Sequence, residues 1–392
     1  MKCKYINCKL HEIFYMKYLI SLSLLILILS CGNNYSPTVV SARQDASDIG
    51  LEIMRKGGNA FDAMIAVQLA LSVSHPTAGN IAGGGFMVYK LKDGSDGTLD
   101  FRETAPNGAS SNMYLDEAGN VIPGLSTLGG LAVGVPGTIS AIFEIHKKFG
   151  SLTIEELFTP SIELAENGFL VTDYLEDELN EKRDDFIKLN GKESLYSRDY
   201  KSGDTIFNKM YAKTLRKIMN EGQDGFYKGE VAEDMIKTIK KNGGIMTMED
   251  LNQYHSVWRD PVRFEYKDYD IISMSFPSSG GILLGQMLKA IEQFDLSNIK
   301  HNSAEYIQLL TEIERRAFAD RSDLMGDPDF MNLPVYEFMD KDYIQERMSN
   351  FSWDIATPSS VVKPGELVFN ESDETTHFSI ICLLYTSDAA DE

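Results

Sequence analysis

Glu374-Thr375-Thr376-His377-Phe378-Ser379-Ile380-Ile381 is the stretch from which the rest of the chain is read. An acidic, loop-like run from Asn370 to Glu374 passes abruptly into a β-prone segment that opens on threonine. Thr-Thr at the start of a strand is commonly no more than β-propensity. The same residues carry a second reading. Cleavage between Glu374 and Thr375 would free an α-amino group with a pKa of about 8. That amine lies within reach of its own hydroxyl, so a single residue would supply both nucleophile and general base. The motif alone does not choose between the two, and the choice passes to the rest of the chain.

Downstream, the run from Cys382 to Glu392 begins abruptly after Ile380-Ile381. It reads either as a sequencing adapter joined in frame or as a genuine acidic tail, and its start in mid-strand favours the adapter. At the other end, residues 1–15 read as an over-extended start, with Met16 as initiator. Lys17 and the apolar run Leu19 to Leu29 form a signal segment over residues 16–30. That run is short for a membrane span. Ser30-Cys31 then resembles a bacterial lipobox, in which Cys31 is lipidated; ordinary secretion with an incidental cysteine is the alternative. The expected location is the bacterial cell envelope, with a lipid anchor facing the periplasm or exterior. With Cys3, Cys8 and Cys382 set aside, Cys31 alone is left, so no disulfide or thiol nucleophile is expected in the folded body.

The chain has 392 residues, of which 43% are hydrophobic, enough for a substantial core. A formal net charge of -21 argues against nucleic acid, whose binders need a basic face. His75, His146, His255, His301 and His377 are scattered without metal-ligand spacing, so neither metal nor cofactor is expected.

Helical periodicity runs from Asp45 to Arg55 and, capped by Asn59, over a nearly all-apolar segment to about Val73. Such a helix is buried. Gly83-Gly84-Gly85 lacks the strand and lysine of a phosphate cradle and reads as a tight turn beside the core. Phe86 to Leu91 and Leu99 to Arg102 read as a hairpin whose loop holds Asp93-Gly94 and Asp96-Gly97. Arg102 at the end of a strand could grip a carboxylate bidentately. It could equally pair with Glu103 or Asp100. Helices are further expected near residues 138–148, 151–168, 211–220, 230–242, 248–254, 282–294 and 303–321, and strands over 264–274. Asp177 to Lys201 reads as charged, irregular surface. A serine of Pro277-Ser278-Ser279-Gly280-Gly281 is expected to cap the helix that follows. The charges of the last long helix read as a solvated face.

Taken in order, these pieces resemble the γ-glutamyltransferases, N-terminal-nucleophile (Ntn) hydrolases. The residues that carry the resemblance include Arg55-Lys56-Gly57-Gly58-Asn59-Ala60-Phe61-Asp62-Ala63, Gly83-Gly84-Gly85-Phe86 and Asp100-Phe101-Arg102-Glu103-Thr104-Ala105-Pro106. Gly129 to Gly137, Gly326-Asp327-Pro328-Asp329-Phe330 and Thr375-Thr376-His377-Phe378-Ser379 continue it. The resemblance implies an α+β fold, a four-layer αββα sandwich, with residues 31–374 as a large subunit and 375–381 opening a small one. It implies autocleavage between Glu374 and Thr375, Thr375 as the catalytic nucleophile, and Arg102 as the partner of the substrate α-carboxylate. It implies glutathione or another γ-glutamyl compound as substrate, with water, an amino acid or a dipeptide as acceptor, and the protein's own small subunit as partner. Because family chains continue well beyond the threonine motif, this chain by itself is expected to be inactive and incompletely covered. A cephalosporin or glutaryl acylase of the same fold, or a non-catalytic solute-binding envelope lipoprotein, are the alternatives.

Overall fold

The computed structural model describes residues 37–330, 335–359, 361–362 and 379–381. The chain enters with β1 (Thr38–Val40) and two helices, α1 (Gln44–Arg55) and α2 (Ala60–Ser74). Asn59 starts α2 with a reciprocal cap: its side chain accepts from Phe61 and Asp62 N–H, and the Asp62 carboxylate accepts from the Asn59 N–H. The same carboxylate accepts the Ser151 N–H and hydroxyl, which ties the start of α2 to the segment ahead of α4. With Ile65, Leu69 and Leu71 fully enclosed, α2 is the axis of the main core.

A hairpin follows, β2 (Phe86–Lys90) with β3 (Asp96–Asp100), then α3 (Thr138–Phe149), α4 (Ile154–Asn167), β4 (Phe169–Leu170) and α5 (Asp173–Asn190). Next come β5 (Thr205–Ile206), α6 (Lys209–Glu221), α7 (Asp224–Tyr227), α8 (Gly229–Lys241) and α9 (Met248–Gln253). β6 (Val257–Arg259) adds to β3 and completes an antiparallel β2-β3-β6 sheet in which Thr98 faces Arg259 and Asp100 faces Val257. The hairpin β7 (Val262–Tyr266) and β8 (Tyr269–Ser273), with α10 (Gly280–Ile291), α11 (Ala304–Leu324) and α12 (Lys341–Met348), forms smaller apolar clusters of its own. Finally β9 (Ser379–Ile381) pairs antiparallel with β1, Val39 opposite Ile380. Helices and strands are thus mixed as an α+β chain, and among the described residues each sheet has two or three strands.

Four expectations need correction. The hairpin strands end at Lys90 and Asp100, and Asp96-Gly97 belong to β3 rather than to the loop. Asp96 pairs with Arg263, and Gly97 packs against the Tyr89 ring where no Cβ would fit, so tertiary contacts override turn-like chemistry. Residues 177–190 are helical, not irregular. Thr172 caps α5, Leu175 and Leu179 bury one stripe, and Gly191 at φ 89° stops it. Of the two candidate serines, Ser279 does not cap α10: it has helical dihedrals, and its hydroxyl accepts from Arg321 Nε at 2.9 Å, while Ser278 Oγ accepts the N–H of Gly280 at 3.3 Å. Lastly, Glu312, Arg316 and Asp320 of α11 are buried rather than solvated.

Candidate functional site

Arg102 stands at the corner where two glycine-containing segments, 83–85 and 134–137, meet the 101–104 backbone. Phe101 and Gly85 exchange backbone hydrogen bonds at 3.0 and 3.3 Å, which prolongs the β2–β3 pairing by one step. Glycine is required on both sides of this corner. A Cβ at Gly84 would strike the Phe101 carbonyl and Glu103 N, and one at Gly137 would strike the Phe101 carbonyl and the Tyr254 hydroxyl. The Gly83 carbonyl accepts from Gly137 and Thr138 N–H at 2.7 and 3.0 Å, which docks the start of α3 on the glycine run. Thr104 and Val135 then exchange backbone bonds. The chain bends at 81–83, and Gly84-Gly85 lead into β2. In place of the expected tight turn, the three glycines thus give a close backbone approach that brings 101–104 against 134–137.

Past the end of β3, the backbone of Arg102 has no ladder partner, and side chains take its place. Its N–H donates to Asp100 Oδ1 at 3.0 Å, and its carbonyl accepts from the Tyr254 hydroxyl at 2.8 Å. Asp100 is itself held through Oδ2 by Arg259 Nε at 2.8 Å. Arg259 also grips both oxygens of Asp329, at 3.2 and 3.1 Å. With Arg259 beside it, the carboxyl of Asp329 sits below the usual carboxylate range. Tyr254 stacks on Tyr227 with ring centroids 6.1 Å apart and planes within 7°. Tyr227 in turn donates to the Pro136 carbonyl at 2.7 Å. Burial, then the nearby Asp100 and Glu103 charges, push the Tyr254 hydroxyl up, so it keeps its proton and remains a donor.

The Arg102 side chain, by contrast, is 60% exposed. Its Nε lies 3.7 Å from Glu103 Oε2, a buried oxygen with no hydrogen-bond partner among the described residues. Of the two sequence alternatives for its pairing, Glu103 is the side chain it meets, because Asp100 is committed to Arg259. A loose, half-exposed pair of this kind contributes about 0–1 kcal/mol, little enough for a ligand carboxylate to displace it. The corner thus couples a rigid backbone to an accessible guanidinium.

Glu374, Thr375 and Cys31 lie outside the described residues. Ser379, four positions after Thr375, opens β9. Among the described residues no His, Cys, Asp and Glu group is arranged to hold a metal ion, and no helix is long and apolar enough to cross a membrane. Sequence reading picked out Arg102 but missed Tyr254, Arg259 and the work of Asp100. Tyr254 lies 152 positions from Arg102, and a tyrosine after a short helix carries no local mark of such a contact.

The family model described as Gamma-glutamyltranspeptidase matches residues 46–382. A glutathione hydrolase proenzyme of Pseudomonas sp. (strain A14) is 41% identical over 347 residues, 88% of this chain and 60% of that relative. The Escherichia coli (strain K12) glutathione hydrolase proenzyme is 39% identical over the same shares. The chain therefore spans about 60% of the length of these curated relatives. The crystal structure of Helicobacter pylori gamma-glutamyltranspeptidase superposes with a TM-score of 0.82 at 43% identity, covering 88% of this chain and 99% of the solved one. The fold is accordingly that of the Ntn hydrolases. A match over most of the chain, together with the glycine-lined corner around Arg102, makes this chain a member of the gamma-glutamyltranspeptidase family.

Proposed function

We propose that the full-length protein is a self-processed γ-glutamyl hydrolase and transferase in which Thr375 is the nucleophile and Arg102 the anchor for the substrate α-carboxylate. In processing, the Thr375 hydroxyl adds to the Glu374 carbonyl carbon and the peptide C–N bond breaks, giving an ester and a free α-amine. Water then cleaves that ester, leaving the Glu374 carboxylate and Thr375 as a new N-terminus. In turnover, the Thr375 amine takes the hydroxyl proton as the oxygen attacks the γ-carbonyl carbon of glutathione or a related compound. The proton passes to the departing amine, and a γ-glutamyl ester is left on Thr375. Water hydrolyses that ester, or an amino acid or dipeptide accepts the γ-glutamyl group. The large and small segments produced by cleavage would remain together as a heterodimer.

The observation that carries this reading is the Arg102 corner in a chain of this family: a fixed backbone presents an exposed guanidinium whose only described carboxylate neighbour lies at 3.7 Å. Recognition by a guanidinium suits an α-carboxylate, which it can meet with two parallel hydrogen bonds. In the full-length protein, Thr375→Ala should run as one uncut polypeptide and release no nitroaniline from γ-glutamyl-p-nitroanilide. Two subunits on a gel would sink the cleavage site, and release of cephalosporin nucleus from a glutaryl substrate in preference to nitroaniline would favour the acylase reading. The location is proposed on residues 16–31 alone: Cys31 carries a lipid that anchors the protein to the cell envelope. Fatty-acid labelling that persists in Cys31→Ser would overturn that anchor.

A further inference from the structure

We propose that Tyr254 is a positioning residue for Arg102, acting together with Asp100 and its partner Arg259, so that the guanidinium is aimed by side chains rather than by the sheet. The inference rests on Arg102 being the carboxylate anchor. Arginine has a long side chain with about 2 kcal/mol of rotamer entropy to lose on binding, so a mobile backbone beneath it would add to that cost. The backbone at Arg102 has left the β3 ladder, yet both its polar groups are bound. Asp100 Oδ1 takes the N–H at 3.0 Å and the Tyr254 hydroxyl supplies the carbonyl at 2.8 Å.

The two supports come from different elements. Asp100 is set by Arg259 on β6, which is clamped by Asp329 in the loop after α11. Tyr254 follows α9 and is set by its stack on Tyr227, whose hydroxyl accepts the Ser140 N–H at 3.3 Å and donates to Pro136. The packing around Tyr254 is tight enough that no Cβ fits at Gly137 beside its hydroxyl. That hydroxyl directs its hydrogen bond to the backbone of Arg102, whose side chain is exposed.

The test uses the full-length, self-processed protein and compares four forms: wild type, Tyr254→Phe, Arg102→Ala, and the two substitutions combined. Tyr254→Phe should raise KM for γ-glutamyl-p-nitroanilide about tenfold, the size of one net hydrogen bond, with kcat within about twofold. In the Arg102→Ala background the hydroxyl should have no further effect on KM, because what it aims has gone. An unchanged KM in Tyr254→Phe, with KM raised in Arg102→Ala, would overturn the positioning role and leave the anchor standing. A Tyr254→Phe effect that persists without Arg102 would also overturn it. An unchanged KM in Arg102→Ala would remove the anchor and this inference with it. Should Tyr254→Phe fail to process, amide exchange in the precursor is the readout: exchange across residues 102–104 should quicken about threefold or more. Exchange equal to that of wild type would overturn the role.

Discussion

The helices α2 and α11 are both central to their surroundings, and they are buried by opposite means. α2 is apolar nearly all round, and its enclosed residues Ile65, Leu69 and Leu71 meet other hydrocarbon. α11 carries Glu312, Arg316 and Asp320 into the interior, each less than 7% exposed. Arg316 Nη1 meets Glu312 Oε2 at 2.5 Å, and its other donors reach Asn350 Oδ1 and the Arg347 carbonyl. Asp320 accepts from Gln286, Tyr343 and Arg347, which tie α10, α11 and α12 together. The first region is held by removing hydrocarbon from water, a non-directional effect that tolerates approximate fits. The second relies on a network in which each member satisfies another, and such a network is costly when half broken.

The largest effect should therefore come from leaving one charge of α11 alone. Arg316→Met strips the strongest partner from Glu312 and should cost about 3–5 kcal/mol. Amide exchange resolved by segment, with a urea titration alongside, should show the loss centred on α10–α12 before α2 is affected. Acid should act on the same place. Burial pushes the Glu312 carboxyl up, while the hydrogen bonds from Arg316 and Thr357 push it down by more, so it sits below its ordinary 4.5. A carboxyl depressed in the folded state contributes stability in full above that ordinary value, and the contribution is lost as pH falls through the folded value. Wild-type α10–α12 should thus loosen on acidification below about 4.5, and Glu312→Gln should flatten that dependence. A uniform response across α2 and α11 would dissolve the contrast between the regions.

How much of this was legible in the sequence follows the same division. α2 could be read from Asn59 to its end because cap, hydrophobic run and stop are all local, and the structure agrees within a residue. α11 reads as a helix from sequence, but its charges read as a solvated face where the structure buries them. Glu312 and Arg316 stand at i,i+4, the spacing of an ordinary solvated pair, and nothing in a linear chain says that Asn350, Thr357 and Arg347 will close over them. Arg102 stands out in the sequence for its place near the end of a strand. The reason its backbone is held, through Asp100, Arg259 and Tyr254, rests on contacts more than 150 positions long. The start of β3 is hidden in the sequence, because Asp96-Gly97 looks like a turn until Arg263 and Tyr89 are packed against it.

A smaller effect is expected where the first region loses hydrocarbon. Leu69→Ala opens a cavity in α2, whose wall is apolar, and should cost about 3 kcal/mol. Unlike Arg316→Met, it leaves no orphaned charge, so refilling the site with Met or Ile should restore most of the loss. The corresponding rescue on α11 needs both partners changed at once, Glu312→Leu with Arg316→Met, since an apolar pair of similar volume can stand in for a buried ion pair. If Leu69→Ala is not rescued by a hydrophobe of similar size, the first region depends on shape as strictly as the second depends on charge.

The smallest effect should come from an exposed charge at the edge of the first region. Lys148, exposed at the end of α3, sets its ammonium 3.7 Å from the centroid of the Trp258 ring, with Tyr89 and Phe149 at 5.6 and 5.1 Å. Those rings pack among themselves: Phe149 stacks on Phe61 at 4.1 Å, and Tyr89 meets Trp258 edge-on. Lys148 is exposed and its stem covers aromatic surface, so little desolvation is at stake. The hydrogen bond from its ammonium to the Tyr89 hydroxyl is long, at 3.4 Å. Lys148→Met keeps the stem and removes the charge, and should cost about 0.5–1 kcal/mol, the worth of an exposed cation over a ring. High salt should not abolish the difference, because a cation seated on a ring face is screened less than two charges separated by solvent. A loss above about 2 kcal/mol in the same urea titration would place Lys148 with the desolvated cations. The α3 end of the first region would then have to be counted with α11, as structure held by charge.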